Sequence, residues 1–160
     1  MRIKHLYLLI GITTSIVLHS QQLTFQLKDI TKKTVTFSEI KGEKITVFDF
    51  WATWCKPCVQ LMPKLNTIYE DQIDSGAEII GVNIDDPRSI NKVKPFISSL
   101  GIQYPILFDT DQMLMEKLNV HAVPSVVIVN DNGEILWSHE GYVFGDEMVI
   151  KEKIHELVSE

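Results

Sequence analysis

The chain has 160 residues, of which 45% are hydrophobic, and a formal net charge of −6 at pH 7. This length and composition fit one domain with a single core, so a second domain is not expected. The excess of acidic side chains argues against a nucleic-acid partner, because a phosphate-binding surface gathers Lys and Arg on one face.

Residues 1–20 differ from the rest of the chain. Arg2 and Lys4 precede a largely apolar run at residues 6–18, which is shorter than the about 20 residues that cross a bilayer. A cationic start followed by such a run is typical of a secretory signal peptide. We therefore predict a signal peptide at 1–20, or an uncleaved membrane anchor through 6–18, and one folded domain at 21–160. Either form places the domain outside the cytoplasm, in the periplasm, secreted or anchored at its N-terminus.

Hydrophobic periodicity and turn signals predict strands and helices that alternate along the chain. The predicted strands lie at residues 21–27, 34–37, 45–51, 77–84, 104–108, 125–129 and 134–138. The predicted helices lie at residues 38–42, 55–71, 85–100, 111–119 and 146–158. The first two strands form an N-terminal hairpin. Strands that alternate with helices favour an α/β layered domain.

The only two cysteines, Cys55 and Cys58, have the spacing C-x-x-C and lie between a predicted buried strand and a predicted helix. A thiol in the first turn of a helix is close to unpaired backbone N–H groups and to the positive end of the helix dipole, which favour the thiolate. We therefore predict that Cys55 is the nucleophile. Cys58, one turn further on, is placed to attack a mixed disulfide at Cys55, so the pair can cycle between dithiol and disulfide without another cofactor.

A C-x-x-C pair also occurs in zinc sites and in structural disulfides. A structural zinc ion needs about four N or S ligands, and the chain has no second C-x-x-C or H-x3-H motif. A disulfide that closes so short a loop removes little entropy from the unfolded chain. Both alternatives are therefore less favoured than a redox-active pair.

The residues around the cysteines resemble the active site of the thioredoxin superfamily. The matching segment at 50–58 reads Phe-Trp-Ala-Thr-Trp-Cys-Lys-Pro-Cys, and Pro63 follows it. Val123-Pro124-Ser125 resembles the loop that carries a cis-proline facing the disulfide in this family. The segments 81–86 and 104–109 resemble the TlpA/ResA-type extracytoplasmic branch.

This resemblance covers essentially the whole chain after residue 20. It implies a thioredoxin fold, in which helices flank a central mixed β-sheet. It also implies a helix and a strand inserted into the core.

Asp49 lies six residues before Cys55, inside an apolar predicted strand. A buried carboxylate without a partner has a raised pKa, which suits a group that takes and returns a proton at neutral pH. The resemblance to thioredoxins implies that Asp49 is the proton acceptor for Cys58. The alternative is an aspartate that faces solvent from the strand. Many TlpA/ResA-type sequences have asparagine here, and some have an acid between the cysteines, so Asp49 and Lys56 depart from that pattern.

Five further residues are expected to shape the site. Lys56 either lowers the pKa of the first cysteine through its positive charge or points away into solvent. Pro57 stiffens the loop, and Trp54 contributes an apolar docking surface. The resemblance implies a cis peptide between Val123 and Pro124, which would leave the Val123 backbone free to pair with an extended substrate.

We predict an extracytoplasmic thiol-disulfide oxidoreductase, monomeric, with protein disulfides as substrates and a membrane or periplasmic thiol donor. The resemblance favours the reducing direction, for example in cytochrome c maturation. One alternative is a peroxidase of the peroxiredoxin type, although Thr53-Trp54-Cys55 lacks the spacing of that pocket. The other is a copper chaperone that binds Cu(I) through Cys55, Cys58 and His121.

Overall fold

The computed structural model describes residues 22–72 and 75–159. The predicted signal peptide or anchor at residues 1–20 lies outside the described residues and stays a prediction. Among the helices of the described residues, none is both long and apolar enough to cross a membrane.

The described residues form strands and helices that alternate along the chain. The strands are β1 Gln26–Asp29, β2 Thr34–Thr36, β3 Ile45–Trp51, β4 Ala77–Asn83, β5 Ile106–Phe108, β6 Ser125–Asn130 and β7 Ile135–Glu140. The helices are α1 Phe37–Ile40, α2 Lys56–Gln72, α3 Ile90–Ser99, α4 Met113–Lys117 and α5 Asp146–Ser159. The predicted α/β class is confirmed.

The strands form one sheet in the order β2-β1-β5-β4-β3-β6-β7. The pairs β3–β4 and β4–β5 are parallel, and the other neighbours are antiparallel, so the sheet is mixed as predicted. β3 lies among the inner strands, and all seven of its residues are buried, because the sheet is covered on both faces here. The β1–β2 hairpin closes one edge of the sheet beside β5.

The two parallel connections determine which side chains share a face of the sheet. Both β3–α2–β4 and β4–α3–β5 are crossovers, and their usual right-handedness puts α2 and α3 on the same face. Trp51 of β3 stacks on Phe96 of α3 with ring centroids 5.8 Å apart. Phe48 instead contacts Phe37 of α1, at 6.3 Å. Because strand residues alternate between faces, Asp49 shares the α2 and α3 side with Trp51.

The start of the first predicted strand was wrong. β1 begins at residue 26, and residues 22–25 have no strand pairing. The reason is that Leu23 donates its N–H to the Asn132 carbonyl at 3.0 Å, and its side chain packs over Gly133. This segment therefore contacts the β6–β7 turn.

The start of the third predicted helix was also wrong. α3 begins at Ile90, because residues 87–89 form a turn and the side chain of Asp85 is bound elsewhere. The helix ends before Gly101, as predicted, and this glycine has a φ of 68°. Such a left-handed conformation costs glycine little.

Candidate active site

A disulfide joins Cys55 and Cys58 at the start of α2. The N–H of Cys55 donates to the Ala52 carbonyl at 3.1 Å, and the Cys55 carbonyl accepts from Val59 at 3.3 Å. These two bonds turn the chain from β3 into the helix, with Cys55 directly before its first residue. The predicted position of the pair at a strand-to-helix junction is confirmed.

The two sulfur atoms have different surroundings. The N–H of Cys58 donates to Cys55 Sγ at 3.3 Å, and it is one of the donors that the first helical turn leaves unpaired. The same donor would stabilise a Cys55 thiolate after reduction. Cys55 is 4% exposed, whereas Cys58 is completely buried. An incoming disulfide therefore meets Cys55 first, which supports its predicted role as nucleophile.

Asp85 anchors the loop that leads to the cysteines. Its carboxylate accepts hydrogen bonds from the N–H of Thr53 at 3.0 Å and from the Thr53 hydroxyl at 3.1 Å. It also accepts one from Asn83 Nδ2 at 2.9 Å, and it is buried. The end of β4 thus holds the active-site loop. Sequence reasoning placed Asp85 at a helix start, although an acid directly after an apolar strand was a usable signal.

Asp49 lies in the middle of β3, between Gly81 of β4 and Val126 of β6, and is fully buried. The solvent-facing alternative is therefore wrong. Its Oδ2 accepts a hydrogen bond from the Tyr104 hydroxyl at 3.1 Å. Burial raises the pKa of Asp49 to about 7, and the Tyr104 hydroxyl opposes this rise by stabilising the carboxylate. A carboxyl group with this pKa can exchange a proton at neutral pH.

Asp49 and Cys58 lie on the same side of the sheet. The Asp49 side chain points toward the face that α2 covers, and Cys58 belongs to the first turn of α2. Because Cys58 is fully buried, its sulfur lies between the helix and the sheet. The arrangement supports the predicted transfer of a proton between the two groups.

The peptide bond between Val123 and Pro124 is cis, as the resemblance implied. The Pro124 carbonyl accepts a hydrogen bond from Gly141 at 2.8 Å. Ser125, the next residue, pairs with Phe50 near the end of β3 that leads to the cysteines. Among the described residues, no backbone hydrogen bond joins Val123. Its N–H and C=O therefore remain available to an extended peptide.

Cys55 lies beside an exposed aromatic ring and an exposed cation. Trp54 is 67% exposed, whereas Trp51 is buried, as predicted for a core residue. Docking of a substrate on Trp54 stays a prediction. Lys56 and Pro57 are exposed in the first turn of α2. The effect of Lys56 on the Cys55 thiol stays a prediction.

A second apolar segment, which sequence reasoning missed, follows β7. Val143 and Phe144 are 70% and 87% exposed. They lie shortly after Gly141, which bonds to Pro124, so they extend the surface beside the cis-proline loop.

His121 is exposed on the loop before Pro124. The described residues include this histidine and both cysteines, and they contain no cluster of three side chains able to hold a metal ion. The structure therefore does not assemble the three ligands of the copper-chaperone alternative.

This fold and this dithiol site define a thioredoxin-like oxidoreductase. The chain belongs to the AhpC/TSA family, whose model matches residues 19–138. It is 30% identical over 122 residues to the thiol-disulfide oxidoreductase ResA of Geobacillus kaustophilus, a match that covers 76% of this chain and 68% of ResA.

Two solved structures are also similar. A thioredoxin-like protein from Porphyromonas gingivalis has 34% identity and a TM-score of 0.71, with 88% of this chain and 94% of that chain covered. StoA from Bacillus subtilis has 22% identity and a TM-score of 0.66, with 82% and 96% covered, and it shows the fold alone. The predicted class, a ResA-type thiol-disulfide oxidoreductase with a thioredoxin fold, is confirmed.

Proposed function

We propose that the protein reduces disulfide bonds of protein substrates outside the cytoplasm. The observation that carries this proposal is the Cys55–Cys58 disulfide at the start of α2, with Asp49 buried on the same side of the sheet. In this arrangement one sulfur can meet a substrate and the other can resolve the product.

The reaction starts from the reduced dithiol. The Cys55 thiolate attacks one sulfur of the substrate disulfide, that bond breaks, and the departing substrate thiolate takes a proton from water. Cys58 then gives its proton to Asp49 and attacks Cys55 Sγ. The Cys55–Cys58 bond forms, the mixed disulfide breaks, and the second substrate sulfur leaves as a thiolate, which takes a proton from water. Two electrons pass from the dithiol to the substrate.

The surface beside the disulfide suits an extended substrate segment. The Val123 backbone is free to form strand-like hydrogen bonds with such a segment. Trp54 offers an exposed aromatic ring on the cysteine side. Backbone pairing together with one apolar contact gives broad specificity for unfolded or extended proteins that carry a disulfide.

The cellular setting belongs to the same proposal. The signal-peptide pattern at residues 1–20 supports a location in the periplasm or at the outer face of the membrane. The oxidised pair would then be reduced again by a membrane or periplasmic thiol donor, because the cytosolic thiol pool does not reach it. Cytochrome c apoproteins, whose thiols must stay reduced for haem attachment, are the proposed substrate class, and the protein acts as a monomer.

Cys58→Ser should accumulate mixed disulfides through Cys55, because the residue that resolves them is lost. The adducts are measured on non-reducing gels and identified by mass spectrometry after expression with the native N-terminus. The double variant Cys55→Ser/Cys58→Ser is the matched control and should trap nothing. Absence of adducts, together with failure of the native protein to reduce a protein disulfide, would contradict the proposal. Faster turnover of peroxide than of disulfides would favour the peroxidase alternative.

The reducing direction predicts that the Cys55–Cys58 disulfide persists in glutathione buffers that reduce an oxidising pair. The reason is that the Cys58 N–H is the one hydrogen-bond donor to Cys55 Sγ among the described residues, so hydrogen bonding stabilises the Cys55 thiolate less than it would in a site with several donors. The oxidised fraction is measured by thiol alkylation at equilibrium. Complete reduction by a small excess of glutathione would instead indicate an oxidase or an isomerase.

A further inference from the structure

Tyr104 brings a polar group from the inserted segment into the dithiol site. It lies just before β5, in the connection that follows α3, and it is buried. A buried tyrosine hydroxyl normally has a hydrogen-bond partner, and here the partner is Asp49 Oδ2 at 3.1 Å. The insertion therefore contributes directly to the surroundings of the buried carboxyl group.

The Tyr104 ring fits against the sheet because the β4 residue beneath it is a glycine, which has no side chain. Gly81 is the β4 residue opposite Asp49. A Cβ atom at Gly81 would lie 2.5 Å from Ile106 Cδ1 and 3.0 Å from Tyr104 Cε2. On another side the ring meets Tyr69 of α2 edge-on, with centroids 6.1 Å apart. Packing therefore holds the Tyr104 ring in place.

The two oxygens of Asp49 are not equivalent. Oδ2 is bound by Tyr104, whereas Oδ1 is buried and has no hydrogen-bond partner in the described part of the chain. A buried acceptor without a partner is costly, so its presence in a folded protein calls for an explanation, and a catalytic role is one such explanation. The reaction proposed above needs one acceptor for the proton of Cys58.

We propose that Tyr104 is a positioning residue: its hydroxyl holds Asp49 Oδ2, so that Oδ1 is the oxygen that takes the Cys58 proton. This inference rests on the proposed function. The proton passes from Cys58 Sγ to Oδ1, and the sulfur electron pair forms the bond to Cys55 Sγ. The bond from Cys55 to the substrate sulfur breaks, and the substrate leaves as a thiolate. Tyr104 keeps its own proton throughout.

Few titratable groups of the described chain face Asp49, so the effect of the Tyr104 hydroxyl on the pKa of Asp49 can be measured. Among the described residues, its neighbours on the flanking strands, Gly81 and Val126, are uncharged. The titratable side chains on this side are Tyr104, Tyr69 of α2, which packs on Tyr104, and, in the reduced protein, Cys58. Burial and the Tyr104 hydrogen bond are what shift the pKa of Asp49. The hydroxyl stabilises the carboxylate, so its removal should raise this pKa further.

Tyr104→Phe should slow the second thiol step and leave the first unchanged. Reduced protein is mixed in a stopped-flow instrument with an aromatic disulfide that releases a coloured thiolate. Cys55 releases the first equivalent and Cys58 the second. We expect the pH midpoint of the second phase to rise by about one unit, with a rate about fivefold lower at neutral pH.

Two variants serve as controls. Tyr69→Phe removes a hydroxyl from the neighbouring ring and should leave both phases as in the native protein, because among the described residues the hydrogen bond to Asp49 comes from Tyr104. In Asp49→Asn the rate of the second phase should no longer fall at low pH through titration of residue 49. In that background Tyr104→Phe should add no further shift, because the two residues act through one hydrogen bond.

The outcomes separate this inference from the function on which it rests. A native protein that releases no thiolate would overturn both. Two normal native phases with an unshifted second phase in Tyr104→Phe would overturn only the role of Tyr104. Titration of the Asp49 carboxyl carbon by NMR in the oxidised protein gives an independent reading, and an unchanged midpoint in Tyr104→Phe would also overturn it.

Discussion

The unfolding free energy of the native protein should fall as the pH rises from about 4 to about 8, and Asp49→Asn should make this fall smaller by about 4 kcal/mol. Burial raises the pKa of Asp49 from 3.8 to about 7. Between these two values the folded chain keeps the proton and the unfolded chain releases it. Rising pH therefore favours the unfolded chain, and the stability is lost over this window. Asparagine cannot ionise, so its contribution stays constant.

Urea unfolding of the oxidised proteins at a series of pH values measures this effect. Asp86→Asn is the matched control, because it changes an exposed carboxyl group and should keep the native fall in stability. An unchanged fall in Asp49→Asn would assign the titration to another buried acid. Asp109, whose pKa is also raised by burial, would be the first to test.

Asp85→Ala should lower the unfolding free energy by about 3 kcal/mol and reduce disulfide reductase activity at least about tenfold. The reason is that the Thr53 N–H, the Thr53 hydroxyl and the Asn83 amide lose their shared acceptor in a buried place. The loop before Cys55 would then lose its attachment to β4. Urea unfolding and reduction of a protein disulfide measure the two losses.

Asp86→Ala tests whether the effect is specific to the buried residue. Asp86 is the next residue along the chain, and its side chain is 57% exposed. Its removal should cost less than about 1 kcal/mol and leave activity unchanged. A stability loss in Asp85→Ala without a loss of activity would contradict a positioning role for this carboxylate.

The fold and the cysteine pair were predictable because their signals are local. β3 is a run of seven buried residues, and Cys55 and Cys58 lie just beyond it. Burial of Asp49 was harder to predict, because strand alternation cannot say whether one face or both faces of a sheet are covered. Sequence alone therefore left its two alternatives open.

The supporting contacts were not predictable, because they join residues far apart in the chain. Asp85 bonds to Thr53 across 32 positions, and Tyr104 bonds to Asp49 across 55. Hydrophobic periodicity compares near neighbours and carries no information on such pairs. The same limit explains the wrong start of α3, since the side chain of Asp85 is bound by Thr53 and is not placed to cap the helix.

The contact of Leu23 with the β6–β7 turn has a topographic consequence. β3 runs from Ile45 toward the cysteines, and Asn130, at the start of that turn, pairs with Ile45. Leu23 bonds to Asn132 in the same turn, so the described chain begins at the pole of the domain opposite the disulfide. A substrate disulfide therefore approaches the domain from the side opposite Leu23, and a change at Leu23 or in the β6–β7 turn leaves the approach to Cys55 clear.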